Sequence, residues 1–166
     1  MEIRDPLMRR RFQRLRALVL DVDGVLTDGG MYYGPSGEVM KKFNARDGMG
    51  ISMLIEAGLR VAFITGESTE ISLRRAEKLG VEDVYLGVED KGAALEDFLG
   101  KHGLAAEDVA YVGDDLNDLP CLRKAGVGIA VADAAAAVRK AAHLVTERRG
   151  GEGAVREIAE AILAGR

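Results

Sequence analysis

The sequence predicts an α/β fold: a doubly wound, Rossmann-like parallel sheet with helices on both faces, a protruding β-hairpin and no cap domain. Three observations predict it. Short apolar runs alternate with segments of helical period along nearly the whole chain, as in a mostly parallel sheet. Several helical segments close on a glycine suited to a left-handed cap. Residues 30–43 alone break the alternation, with two strand-like runs around a Gly/Pro turn.

The first element is a short amphipathic helix. Leu7, Met8, Phe12 and Leu15 recur at near-helical spacing among Arg4, Arg9, Arg10, Arg11, Arg14 and Arg16, so the apolar stripe should lie on the body and the arginines in solvent. Strands are expected at 17–22, 60–65, 83–86, 109–112, 127–131 and 143–145. Helices are expected over 46–58, 68–79, 91–102, 116–125, 134–142 and 152–164, with Gly58, Gly80, Gly103 and Gly126 as caps. The hairpin would pair 30–33 with 38–43 across Gly34-Pro35-Ser36-Gly37. Its Met31, Tyr32, Tyr33, Val39, Met40 and Phe43 are apolar, and an isolated hairpin is marginal in water. It should therefore pair with another subunit.

At 166 residues and about 100–200 residues per domain, residues 1–166 should form one domain. A composition of 48% hydrophobic and 30% charged residues excludes a disordered chain or a disulfide scaffold. Lys+Arg 23 against Asp+Glu 27 leaves −4, without the basic excess of a nucleic-acid binder. The single cysteine, Cys121, excludes an intrachain disulfide and a thiolate metal cluster, fits a reducing cytoplasm, and reads as a small buried hydrophobe. No apolar run approaches the roughly 20 residues of a membrane span, and the basic N-terminus lacks the apolar core of a secretory signal. The expected location is cytoplasmic, with neither membrane nor nucleic acid as partner. His102 and His143 stand apart from any other metal-ligating residue at suitable spacing and read as surface or core side chains.

Ligands of doubly wound sheets bind outside the carboxyl ends of the strands. Four such ends are polar here: Asp21-Val22-Asp23-Gly24, Thr65-Gly66-Glu67, Asp90-Lys91-Gly92 and Gly113-Asp114-Asp115-Leu116-Asn117-Asp118. Like charges about 4 Å apart repel by roughly 4 kcal/mol at an effective dielectric near 20, so carboxylates crowded into one crevice call for a cation. Oxygen donors without His or Cys select a hard ion such as Mg²⁺, which usually keeps a phosphate oxygen as a further ligand. A phosphate ester is then the natural substrate. Asp can attack phosphorus to give an aspartyl-phosphate, while Lys91, the Thr65 hydroxyl and backbone N–H groups hold the remaining oxygens.

The order and placement of these four motifs resemble the haloacid dehalogenase superfamily. The resemblance implies Asp21 as nucleophile, Asp23 as general acid and then base, Lys91 as electrostatic clamp and Thr65 on the phosphate. It implies Mg²⁺ held by Asp21, Asp114 and the backbone carbonyl of Asp23. Asp21 and Thr65 are 44 positions apart, and Thr65 and Lys91 only 26, which leaves no room for the roof that larger members carry.

Residues 23–29, 42–48 and 150–157 resemble the capless, tetrameric branch, in which hairpins of four subunits form a barrel and neighbours complete each site. That branch dephosphorylates 2-keto-3-deoxy sugar acid phosphates: 3-deoxy-D-manno-octulosonate 8-phosphate, or nine-carbon sialic-type (2-keto-3-deoxynononate or N-acylneuraminate) 9-phosphates. Candidate substrate contacts are Asn44, Arg46, Asp47, Gly48, Gly66, Glu67, Arg75, Lys78, Asn117 and Arg156. Glu67, Arg75 and Lys78 share one helical stripe, but Glu67 and Lys78 lie roughly 16 Å apart along the axis. Arg75 and Lys78 must then serve an adjoining subunit's site, or none. The octulosonate enzymes carry Arg where this chain has Ser52 and Glu67, so the resemblance favours a nine-carbon substrate, with the octulosonate phosphate as the alternative.

Two other classes compete. A receiver module also phosphorylates an Asp beside Mg²⁺, Thr and Lys, but its acceptor sits on an internal strand, whereas Asp21-Val22-Asp23 opens this sheet. A catalytically silent tetramerisation domain is disfavoured by intact Asp21, Asp23 and Lys91.

Overall fold

A computed structural model describes Ile3 and residues 5–165; Arg4 lies outside them. Helix α1 (Pro6–Arg14) leads into β1 (Ala17–Leu20), the hairpin strands β2 (Tyr32–Gly34) and β3 (Gly37–Met40), α2 (Ala45–Glu56), β4 (Arg60–Ile64), α3 (Glu70–Leu79) and β5 (Asp83–Tyr85). The second half runs α4 (Lys91–His102), β6 (Val109–Gly113), α5 (Leu119–Lys124), β7 (Val127–Ala130), α6 (Ala136–Ala141), β8 (Leu144–Val145) and α7 (Ala154–Ala164).

Six strands form one sheet in the order β5-β4-β1-β6-β7-β8, with every pair parallel and helices flanking it. Winding runs outward from β1 through β4 to β5, then returns to β6 and runs the other way. That reversal opens a crevice beyond the carboxyl ends of β1 and β6. Every residue of β1, β6 and β7 is buried, the near-continuous apolar pattern of strands covered on both faces.

The structure corrects several boundaries. Residues 116–125 are not one helix: a 3₁₀ turn at Leu116–Asp118 precedes α5. Pro120 sits in the first turn of α5, where its missing N–H costs nothing and its ring cannot continue a preceding helix. Gly58, Gly80 and Gly103 adopt positive φ as expected, whereas Gly126 does not. Leu7 points away from the core and is exposed, while Met8, Phe12 and Leu15 are buried. Strand β3 ends at Met40 rather than at 43, because the chain then turns inward: Lys41 is buried and Phe43 packs against the core. Met31, Tyr32, Tyr33, Val39 and Met40 remain exposed, and among the described residues β2 and β3 pair only with each other. Cys121 is buried.

His102 has a structural partner. The buried Asp83 carboxylate accepts from Lys101 Nζ (2.7 Å) and lies 2.9 Å from His102 Nε2. Burial pushes Asp83 up, but these two partners outweigh it and hold the carboxyl below its usual value of 3.8. Such a group stabilises the fold above its unfolded pKa and loses that contribution as pH falls through the lower folded value. Asp83→Asn should therefore cost about 1.5–3 kcal/mol at pH 7, the range for hydrogen bonds to charged groups, with the difference from wild type closing below pH 3.8. Urea denaturation at both pH values checks this.

Candidate active site

The first strand delivers Asp21 to the crevice. Its N–H donates to Val112 O (3.0 Å), which keeps Asp21 level with the end of β6. Gly24 then turns the chain at φ +89°, and a Cβ there would sit 2.0 Å from Asp114 Oδ2. Glycine is thus required for the loops after β1 and β6 to meet.

A buried charge cluster forms where they meet. Lys91, at the first position of α4, donates Nζ to Asp21 Oδ1 (2.6 Å) and to Asp118 Oδ1 (2.8 Å). Tyr111 OH donates to the same Asp118 oxygen (2.7 Å), and Asp118 Oδ2 accepts from the N–H groups of Asp114 (2.9 Å) and Asp115 (3.3 Å). Both oxygens of Asp118 are therefore committed. It holds the ammonium and braces the loop, a part of the motif that sequence reading left without a role.

The charge balance in this cluster is unfavourable to ionised carboxylates. Burial, then repulsion from Asp118, raises Asp21 well above the usual carboxylate range, and Lys91 offsets only part of this. The same two causes push Asp114 up to about 6. For Lys91, burial favours the neutral amine, but the two facing carboxylates prevail and raise its pKa. Asp21, Asp114 and Asp118 offer oxygen atoms within 4.8 Å of one another. An oxygen-only donor set whose members repel one another fits a hard divalent cation. With Asp118 occupied by its hydrogen bonds, the carboxylates of Asp21 and Asp114 are the ones left to bind it. The carboxylate of Asp23 is outside this cluster.

Asp23 is held from another direction. Lys41 Nζ, on a side chain with no solvent exposure, donates to Asp23 Oδ1 (2.5 Å) and lies 2.8 Å from Glu38 Oε1. Asp23 Oδ2 is buried and has no hydrogen-bond partner among the described residues. Burial favours neutral Lys41, and the two acids more than reverse this. The Lys41 contact was not legible in the sequence, since the residue belongs to the hairpin rather than to any strand-end motif.

A cleft of about 510 Å³ gathers Asp21, Asp23, Thr65, Gly66, Glu67, Lys91, Asp114 and Asn117, with Gly29, Asp115 and Leu116 also on its wall. Thr65 is buried, and its Oγ1 accepts from Glu67 N–H (3.1 Å), leaving the hydroxyl proton for a ligand.

The other expected substrate contacts are not in this cleft. Asp47 is buried and caps α7, accepting from Gly153 N–H (3.1 Å) and Arg156 N–H (3.0 Å), so it stabilises a helix start. Asn44 caps α2 through Arg46 N–H and donates Nδ2 to Gly151 O. Arg75 donates to Asn44 O (3.2 Å) and stacks over Phe43 at 5.4 Å. Gly48 makes room for Arg75, whose NH2 would lie 2.5 Å from a Cβ there. Arg46 and Arg156 line a separate cleft with Arg148, and Lys78 is exposed. Sequence spacing put polar groups on the same helices without revealing these local partners.

The glycine-rich segment lies on its own chain. Gly151 N–H donates to Val25 O (2.9 Å), and a Cβ on Gly151, at φ +64°, would come 2.4 Å from Thr27 C. Residues 150–151 thus support the loop that carries Asp23.

The profile of the haloacid dehalogenase-like hydrolases matches residues 83–158. Over 158 residues the chain is 44% identical to 3-deoxy-D-manno-octulosonate 8-phosphate phosphatase KdsC of Salmonella typhimurium, covering 95% of this chain and 84% of that protein. The chain belongs to the haloacid dehalogenase-like hydrolases. Within that family it is a phosphomonoesterase, as the four motifs led one to expect.

Solved structures of the family agree in fold. The cobalt-bound deoxy-D-mannose-octulosonate 8-phosphate phosphatase of Haemophilus influenzae superposes with a TM-score of 0.92 at 41% identity, covering 93% of this chain and 91% of that one. The 3-deoxy-D-manno-octulosonate 8-phosphate phosphatase of Moraxella catarrhalis, in complex with magnesium ion, phosphate ion and KDO, gives 0.93 at 37% identity, covering 96% and 92%. Among the described residues no helix is long and apolar enough to cross a membrane.

Proposed function

We propose that this protein is a Mg²⁺-dependent phosphatase of 3-deoxy-D-manno-octulosonate 8-phosphate. The observation that carries the chemistry is Asp21, buried against Lys91 and facing Asp114 at the mouth of an open cleft. The substrate is the one named for the relatives at 41–45% identity, which reverses the order of the two substrates expected from the sequence. The nine-carbon reading keeps a single support, the Glu67 carboxylate on the cleft wall.

Asp21 and Asp114, with the backbone carbonyl of Asp23, would hold Mg²⁺, which when bound cancels the repulsion between Asp21 and the phosphoryl dianion. Lys91 steadies Asp21 and offsets charge on the phosphoryl oxygens. The Thr65 hydroxyl and the backbone N–H groups beside it donate to those oxygens.

An Asp21 oxygen attacks phosphorus, the bond from phosphorus to the sugar oxygen breaks, and that oxygen leaves with its electron pair and a proton from Asp23. Water then attacks the aspartyl-phosphate and gives its proton to Asp23. The bond from phosphorus to Asp21 breaks with its electrons returning to the carboxylate. Free phosphate and the keto-acid are released.

Exposed Met31, Tyr32, Tyr33, Val39 and Met40 on the hairpin support assembly through that surface into a homotetramer. Sedimentation should report four chains, and a fully active monomer at assay concentration would contradict it.

Phosphate release over a panel of keto-acid sugar phosphates, with and without Mg²⁺, tests the substrate. The highest kcat/KM is expected on 3-deoxy-D-manno-octulosonate 8-phosphate. A higher value on a nine-carbon 9-phosphate would shift the assignment to the Glu67 reading, and release independent of Mg²⁺ would sink both.

A further inference from the structure

Lys41 is a buried cation that the catalytic scheme has not used. Its side chain is fully shielded from solvent, and it is clasped between Asp23 and Glu38 at 2.5 and 2.8 Å. Burying an ammonium is costly unless it is well paired. Yet one of its two partners is the carboxylate at the mouth of the cleft rather than a remote structural acid. Asp23 is partly exposed, with 21% of its side chain accessible, and lies on a loop between β1 and the hairpin. Without a tether, its carboxyl group could turn about its own torsions. With Oδ1 held by Lys41 and Oδ2 buried without a partner among the described residues, the carboxyl group is confined to one orientation. Proton transfer requires the acid within about 2.6–3.2 Å of the reacting oxygen, so a fixed orientation has kinetic value.

We propose that Lys41 is a positioning residue for Asp23: by anchoring Oδ1, with Glu38 holding the lysine from behind, it fixes the orientation of the carboxyl group that delivers a proton to the leaving sugar oxygen and then removes one from water. This rests on the reading of Asp23 as the acid and base. The hairpin stem thereby enters catalysis through the anchor of Asp23.

A purely structural lysine would neutralise its neighbours without regard to the leaving group, and this difference supplies the test. The sugar alkoxide needs a proton to depart, whereas p-nitrophenolate leaves without one. Wild type, Lys41→Met, Lys41→Arg and Asp23→Asn are compared as Mg²⁺-loaded proteins. Steady-state turnover is measured on 3-deoxy-D-manno-octulosonate 8-phosphate, and stopped-flow release on p-nitrophenyl phosphate. Inorganic phosphate as competitive inhibitor reports on the integrity of the site.

For Lys41→Met the expected result on the sugar phosphate is a kcat about 100-fold lower, the scale of catalytic loss from a 1 Å misplacement, with KM and phosphate inhibition within about 2-fold of wild type. On p-nitrophenyl phosphate, attack by Asp21 proceeds while water activation is slowed. A burst of about one nitrophenolate per site should then precede slow turnover, as for an accumulating covalent intermediate. Asp23→Asn should show the same pattern more deeply, and Lys41→Arg should recover part of the rate.

Wild-type kinetics in Lys41→Met on both substrates would overturn the proposal. Burst and turnover lost together with weakened phosphate inhibition would overturn it too, as a collapsed site. Should Lys41→Met fail to fold, Glu38→Gln, which loosens the lysine but keeps its charge, carries the test. A burst with slowed turnover then supports the anchor, and wild-type kinetics overturns it. Wild-type turnover of the sugar phosphate by Asp23→Asn would instead remove the underlying acid and base reading, independently of what Lys41 does.

Discussion

Asp21→Asn is expected to abolish Mg²⁺-dependent phosphate release, by about 10⁴-fold or more, the scale seen when a covalent nucleophile is removed. The metal-free variant should nevertheless unfold at a higher temperature than wild type. Asp21 is buried and faces Asp118 and Asp114, and burial followed by the Asp118 charge raises its pKa well above 3.8. A carboxyl group with a raised folded pKa binds its proton more tightly in the folded state. Its contribution is therefore full below the unfolded value and is lost as pH rises toward the folded one. At neutral pH a buried acid facing other acids is a liability that Asn lacks, while the Asn oxygen can still accept from Lys91. The gain should shrink in acid and when Mg²⁺ is added to wild type. Phosphate assays and thermal melts at pH 5 and pH 7.5, with and without Mg²⁺, check both halves. Normal turnover in the variant would move the nucleophile elsewhere.

Lys91→Met should act in the opposite sense on stability. The ammonium bonds Asp21 at 2.6 Å and Asp118 at 2.8 Å, both on nearly inaccessible side chains. Removing it strands two acids in the interior, and breaking a buried pair by deleting one partner costs about 3–5 kcal/mol. A loss of that size would show in urea denaturation of the metal-free protein as a lower midpoint with an unchanged slope. Added Mg²⁺ should recover part of it in Lys91→Met, because the ion supplies the missing positive charge to Asp21. A variant as stable as wild type would mean that the two acids need no counter-ion from Lys91.

Much of the chemistry was legible as strand-end chemistry. Asp21, Thr65, Lys91 and Asp114 belong to loops immediately after strands or to the start of the following helix, and parallel pairing brings all such loops to one edge. Residues drawn from helix faces fared differently. Asp47, a candidate substrate contact, caps α7 within this chain, and Arg75, expected to serve an adjoining subunit's site or none, joins α3 to residues 43–44. An acidic or cationic side chain in a one-dimensional pattern looks the same whether it meets a ligand or an N–H group of its own chain. Asp118 was read as part of a motif, but its four hydrogen bonds, which make it a brace rather than a free ligand, depend on Tyr111 and Lys91 arriving from other elements.

By itself the sequence determined the parallel α/β layering, the hairpin and the four acidic or basic strand ends, because periodicity and strand-end placement are local properties. Only the tertiary structure decided which acids are neighbours, that Lys41 reaches Asp23, and that Gly151 lies against the first loop. Those relations join residues 18, 93 and 124 or more positions apart, and contacts at such separations are set by packing, for which a local pattern carries no signal.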